Sequence, residues 1–262
     1  MKNPRQKRAV RQNFKKRSAN DPLVPEVKYI DTNPYQAWAE QTLGFRFNNP
    51  SLLVTAFTHR SYLNEHRKTT RAHNERLEFL GDAVLELVTT EFLFKNYEMP
   101  EGILTSWRSA LVRTESIRDA GNNLGYESLI LMSNGERQGT EQAKLHIVAN
   151  AFEALTGAIY LDQGMSVVSN FIHNNILCHI DEILKSGAWR DPKSYLQELV
   201  QRFDNTMPEY RLLDEFGPDH DKTFTIGVFV NGQMKGQGIA GSKVRAQQKA
   251  AQEAINTYVS FS

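Results

Sequence analysis

Apolar residues in this chain recur at helical spacing from Tyr35 to about Lys185, and after Pro192 they switch to alternation. This change of period limits the possible folds more than any other feature. Leu52, Leu53, Ala56 and Phe57 form one apolar helical face, introduced by the start signal Asn49-Pro50-Ser51. The spacing predicts further helices over 35–43, 74–96, 105–124, 145–161 and 166–185, of which 74–96 is the longest uninterrupted pattern. Gly121, Gly125 and Gly164 lie near expected ends. Nothing in that region alternates with period two for long, so it is expected to be almost wholly α.

Ser186-Gly187-Ala188 and Pro192 mark a boundary. Beyond it, 193–203 reads as a short helix and 210–215 as a strand, while Phe224, Ile226, Val228 and Val230 fall on one side of a second strand. Asn231-Gly232 supplies a two-residue hairpin turn, because both positions tolerate positive φ, and the chain returns over 233–240. Ser242 caps a last helix reaching about Tyr258. The expected fold is mainly α: an all-α domain followed by an α-β-β-β-α domain. The boundaries are a basic arm and linker at 1–33, a helical domain at 34–185, a linker at 186–191 and the second domain at 192–260.

The net charge of +1 conceals an uneven distribution. Residues 1–17 carry eight Lys or Arg and no acid, residues 190–262 balance at nine each, and residues 18–189 hold 14 basic against 21 acidic side chains. The arm reads either as a sequence-blind phosphate contact or as a solvated tail; a transit peptide fits less well because Ser is scarce. No apolar run approaches a membrane span, and residues 1–17 lack the apolar stretch of a secretory signal. Cys178 is the only cysteine, which rules out an internal disulfide, so a cytoplasmic location is expected.

Glu75, Glu78, Asp82 and Glu86 fall at i, i+3, i+7 and i+11, a stripe of carboxylates on one helical face. Phe79, Leu80, Val84, Leu85 and Val88 form the apolar side expected to anchor that helix. Mutually repelling carboxylates at the edge of a core call for a cation or a proton. Asn150 and Glu153 share a face of another apolar helix. If the two helices pack, Glu78, Asp82, Asn150 and Glu153 converge into an all-oxygen site suited to Mg²⁺, and Gly81 and Gly157 allow close backbone approach. By itself the stripe reads equally well as a solvated helix face.

The string from Glu75 to Leu85 resembles the signature of the ribonuclease III family, and Thr58-His59-Arg60-Ser61-Tyr62 and the run from Ala151 to Asp162 resemble its flanking segments. The likeness runs from about Tyr35 to Tyr258. It implies an endoribonuclease that cuts double-stranded RNA to 5′-phosphate products with short 3′ overhangs, in ribosomal or messenger RNA processing. Asp82 and Glu153 are implied as catalytic, and Glu78, Asp82, Asn150 and Glu153 as ligands for Mg²⁺, with Mn²⁺ as a substitute. Asn150 departs from the usual Asp and removes one charge. The resemblance also implies a homodimer, for which Phe57, Phe79, Leu80 and Leu85 are candidates although core packing accounts for most of them. Glu75 is implied at the dimer and cleft, or else in an ion pair with a neighbour; His59 and His73 lack metal-ligand spacing and read as structural or surface groups.

The second domain resembles the double-stranded-RNA-binding domain, which reads shape, 2′-hydroxyls and phosphates. The implied contacts are Gln197 and Glu198 on the first helix, Pro218-Asp219-His220 in the loop after the first strand, and Gly241-Ser242-Lys243 opening the last helix, with Arg245 beside them. Val244 and Gln247 stand where cations are usual; Arg245 and Lys249 compensate in part, so the module alone is expected to bind weakly. A second reading, raised by Asn150, is a ribonuclease III-like scaffold that binds RNA or ribosomes without cutting.

Overall fold

A computed structural model describes residues 21–66, 72–187, 189–218 and 222–259. The basic arm at 1–17 lies outside the described residues. Helix α1 (Asn33–Leu43) ends at Gly44, whose positive φ of 81° forms the left-handed cap. Helix α2 (Pro50–Ala56) begins as its start signal requires: the Asn49 side chain accepts from the Ser51 N–H at 3.1 Å, and Pro50 occupies the first turn. A short α3 (Tyr62–Glu65) leads to α4 (Glu75–Asn96), α5 (Glu101–Leu111), α6 (Thr114–Leu124), a short α7 (Asn134–Arg137), α8 (Glu141–Gln163), α9 (Met165–Asn175) and α10 (Ile180–Ser186). One isolated bridge, between Thr58 and Leu131, is the β pairing among the described residues of this half.

Helix α8 runs through the centre. Over its middle it is apolar on most sides, burying among others Ile147, Ala151, Phe152, Leu155 and Ile159, so it needs several partners. Helices α4, α6, α2 and α9 supply them. Each fully buried side chain such as Phe152 or Leu155 stabilises by roughly 1.5–3 kcal/mol.

Several sequence expectations change. Helix α8, with 23 residues, exceeds α4, with 22, because the Thr140 side chain accepts from the Ala143 N–H at 3.2 Å and starts the helix at Glu141, four residues before the expected start. The stretch 105–124 breaks at Val112–Arg113, since α5 packs on α4 and α10 while α6 packs on α8. The stretch 166–185 breaks at Ile176 into α9, a single 3₁₀ turn (Leu177–His179) and α10. Gly121 lies inside α6, where a Cβ would collide with the Tyr126 hydroxyl. The segment before α1 does more than link: Val24 and Val27 are buried in the core, and the Val27 N–H donates to Ser51 Oγ at 3.1 Å.

The second half has its own hydrophobic cluster. Helix α11 (Pro192–Asp204), strands β1 (Glu209–Phe216), β2 (Thr223–Val230) and β3 (Gln233–Ala240), and helix α12 (Lys243–Val259) enclose Leu196, Val200, Val228, Val230, Ala250 and Ala254. The sheet is antiparallel in the order β1-β2-β3. Asn231 and Gly232 turn the hairpin with φ of 50° and 78°. Helix α12 lies so close to β3 that a Cβ on Gly236 or Gly238 would enter the α12 backbone at Ala250 or Ala246. Between the halves, Trp189 packs edge-on against Trp107 and Arg190 stands 4.1 Å from the centre of the Tyr195 ring, so the expected linker is held by contacts.

Candidate active site and nucleic-acid interface

Helix α4 starts where the buried Asn74 donates its N–H to the Thr58 carbonyl at 2.9 Å, and Glu75 and Glu78 occupy the first turn, where the helix dipole favours negative charge. The acidic stripe is divided in space. At its ends, Glu75 pairs with Arg60 at 3.5 Å and His73 at 3.7 Å, and Glu86 pairs with Arg108 at 3.0 Å. The neighbour ion pair expected for Glu75 is present. In the middle, Glu78 and Asp82 have no cationic partner among the described residues.

Helices α4 and α8 cross at two glycines. A Cβ on Gly81 would fall inside the radius of the Glu153 carbonyl oxygen, and one on Gly157 would do the same to the Leu77 carbonyl oxygen. Only backbones without side chains at the crossing can approach so closely. The contact sets Glu153 beside the turn of α4 that carries Glu78 and Asp82. The electrostatics follow: burial, then repulsion from Asp82 and Glu78, pushes the Glu153 carboxyl up to about 7. Burial, then Glu75 and Asp82, raises Glu78. Asn150 lies one turn before Glu153 on α8, half-buried, with no side-chain hydrogen bond among the described residues.

As the rotamers stand, no three His, Cys, Asp or Glu side chains among the described residues form a ligating group. The donor set nonetheless fits a hard divalent cation in type and charge: carboxylates and one amide oxygen, mutually repelling and without a countercharge among the described residues. His59 does not belong to it. Its Nδ1 is 2.8 Å from Ser61 Oγ, which also accepts the Ser133 N–H at 3.0 Å, and burial lowers its pKa.

In the second half, Gln197 and Glu198 are exposed on α11. His220 and Asp219 lie outside the described residues. Ser242 accepts the Arg245 N–H at 3.4 Å and so caps α12 as expected, and Lys243 and Arg245 are exposed in its first turn. Lys243 Nζ stands 3.7 Å from Glu215, and Gly241 lies against the Lys222 carbonyl, so the start of α12 and the β1–β2 return are brought together. One of the substituted positions and one of the compensating cations acquire neighbours. Gln247 accepts from Lys193 Nζ at 2.8 Å, and Lys249 donates to the Ile239 carbonyl at 3.0 Å.

Residues 49–180 match the family described as Ribonuclease-III-like, and residues 192–258 match the Double-stranded RNA binding motif. A protein named Ribonuclease 3 from Geobacillus thermodenitrificans is 45% identical over 219 residues, covering 83% of this chain and 89% of the relative. The chain belongs to the ribonuclease III family. A Ribonuclease 3 from Listeria monocytogenes is 41% identical and covers 85% of this ribonuclease III and 98% of the relative. Among solved structures, the nuclease domain of ribonuclease III from Campylobacter jejuni aligns with a TM-score of 0.47 at 38% identity, covering 53% of this chain and 96% of that one. No helix among the described residues of this ribonuclease III is long and apolar enough to cross a membrane. Sequence reasoning missed Arg108, which fixes the end of the acidic stripe, and Glu215, which meets Lys243. Their partners are distant in sequence, and no local pattern announces them; the same holds for Arg60, although it falls within the Thr58–Tyr62 string.

Proposed function

We propose that this ribonuclease III hydrolyses phosphodiester bonds of double-stranded RNA in the cytoplasm, with Mg²⁺ or Mn²⁺ held by Glu78, Asp82, Asn150 and Glu153. The observation that carries this reading is the side-chain-free crossing at Gly81 and Gly157, which puts Glu153 beside Glu78 and Asp82. When bound, the ion supplies charge stabilisation at the phosphate oxygens and activation of water. Asp82 and Glu153 are the carboxylates at the reacting phosphate. In the metal-free site Glu153, with its carboxyl near 7, holds a proton part of the time at neutral pH, and would lose that proton on binding a cation. Arg60 and Arg108 pair with the outer carboxylates Glu75 and Glu86, which leaves Glu78 and Asp82 as the members of the stripe beside Glu153.

Gln197, Glu198, His220, Ser242, Lys243 and Arg245 are proposed to meet the duplex, with the α12 N-terminus and Lys243 on phosphate. A homodimer completes the proposal. Phe79, Leu87 and Phe94 are exposed at 81%, 56% and 77% along one side of α4, next to the acidic stripe, whereas Phe57 and Leu85 are fully buried in the core. A second copy laid on that apolar side leaves the carboxylates open at its rim. Two equivalent sites then cut opposite strands, leaving 5′-phosphates and short 3′ overhangs in ribosomal or messenger RNA processing. The division into domains at 34–185 and 192–260 is part of the same reading.

Incubation of the full chain with long duplex RNA and Mg²⁺ tests it. Short duplex products are expected, and Glu153→Gln should abolish them while retaining RNA binding. Asn150 favours a second reading, an RNA-binding scaffold; it predicts that both proteins bind duplex RNA and neither cuts it.

A further inference from the structure

Two lysines reach one carboxylate at the edge of the RNA-binding module. Glu215, near the end of β1, accepts from Lys222 Nζ at 2.8 Å and lies 3.7 Å from Lys243 Nζ. Lys222 sits just before β2 and Lys243 is the first residue of α12, so Glu215 joins the β1–β2 return to the helix N-terminus. Lys243 Nζ also stands 5.3 Å from the centre of the Phe224 ring, which holds the ammonium in place from a second side. The hydrogen bond from Lys222, followed by the charges of Lys222 and Lys243, holds the Glu215 carboxyl below its ordinary range, so it is ionised at neutral pH.

We propose that Glu215 is a built-in counter-ion for the phosphate-gripping end of α12, and that duplex RNA engages Lys243 by displacing it. The inference rests on the reading of Lys243 as a phosphate contact. A surface ion pair of this kind is weak, so Lys243 can exchange partners readily. The displaced carboxylate does not leave, however, because β1 anchors it. A phosphate gripped by Lys243 therefore sits within about one Debye length of a fixed carboxylate whose charge the exposed Lys222 pair offsets only in part, and the two repel even at 0.1 M salt. Glu215 thus sets a lower affinity and a shallower salt dependence than the lysines alone would give. Val244 adds no charge in the same turn, which leaves Lys243 and Arg245 as its cations.

Affinity of the full-length protein for a duplex of about 20 base pairs, longer than the roughly 16 such a module spans, is measured by fluorescence anisotropy in EDTA at several KCl concentrations. Glu215→Gln keeps the hydrogen-bonding shape and is expected to tighten binding about threefold to tenfold near 0.1 M salt. It should also steepen the slope of log affinity against log salt by up to about one. Glu215→Asp, which keeps the charge, should not tighten binding. The Glu215→Gln gain should vanish when Lys243→Ala is added. Unchanged or weakened binding by Glu215→Gln, or equal tightening by Glu215→Asp, overturns the proposal. If Lys243→Ala alone leaves affinity unchanged, the phosphate-contact reading fails and takes the proposal with it. If Lys243→Ala weakens binding while Glu215→Gln does not tighten it, the Glu215 proposal alone falls.

Discussion

At the scale of single residues, Asn150 and Glu153 hold the chemistry in balance. A unit charge at contact distance in partly hydrated surroundings is worth about 1–4 kcal/mol. Restoring one by Asn150→Asp should therefore tighten Mg²⁺ binding at least about fivefold, as read by isothermal titration; an unchanged dissociation constant would show that Asn150 is no ligand. Glu153 gives a pH signature in the metal-free protein. Its folded carboxyl titrates near 7 against an ordinary 4.5, so the folded state holds a proton through that window and the unfolded state does not. The resulting stabilisation is complete below about pH 4.5 and fades as pH rises through 7. The unfolding free energy from urea titrations in EDTA should fall between pH 5 and pH 8 by about 1 kcal/mol, after discounting for partial exposure. Glu153→Gln should flatten that slope.

Between elements, glycine decides how closely helices and strands approach. Gly81→Ala places a methyl group against the Glu153 carbonyl, a backbone atom of α8 that cannot rotate away. The helices must separate, which overpacking data put at about 1–3 kcal/mol or more. A lower melting temperature together with weaker Mg²⁺ binding is expected, whereas a methyl elsewhere on α4 should affect at most the first. Calorimetry with and without Mg²⁺ separates the two. The acidic stripe and the small residues were legible in the sequence because helical spacing is local. The breaks at Val112–Arg113 and at Ile176 were not, because neither carries a Pro or a cap signal; each half turns toward the helix it packs on.

For the molecule as a whole, the exposed apolar side of α4 is the feature that a monomer leaves unused. Sequence periodicity assigned Phe79 to the side that anchors the helix, yet it stands 81% exposed, while Leu85 from the same set is buried. Phe79→Asp puts a charge into the proposed dimer contact, and sedimentation should report a monomer with little change in melting temperature; a persisting dimer would place the interface elsewhere. The sequence alone determined the change from a helical half to an α-β-β-β-α half, the Asn231-Gly232 hairpin and the membership of the acidic stripe, because each follows from spacing and backbone preference within a few residues. Tertiary structure decided which carboxylates pair with arginine, which stand beside Glu153 without a cationic partner among the described residues, and that Lys243 already has Glu215 as its partner. Those outcomes depend on distances between segments far apart in the chain, and electrostatic energy follows distance in space, not position in sequence.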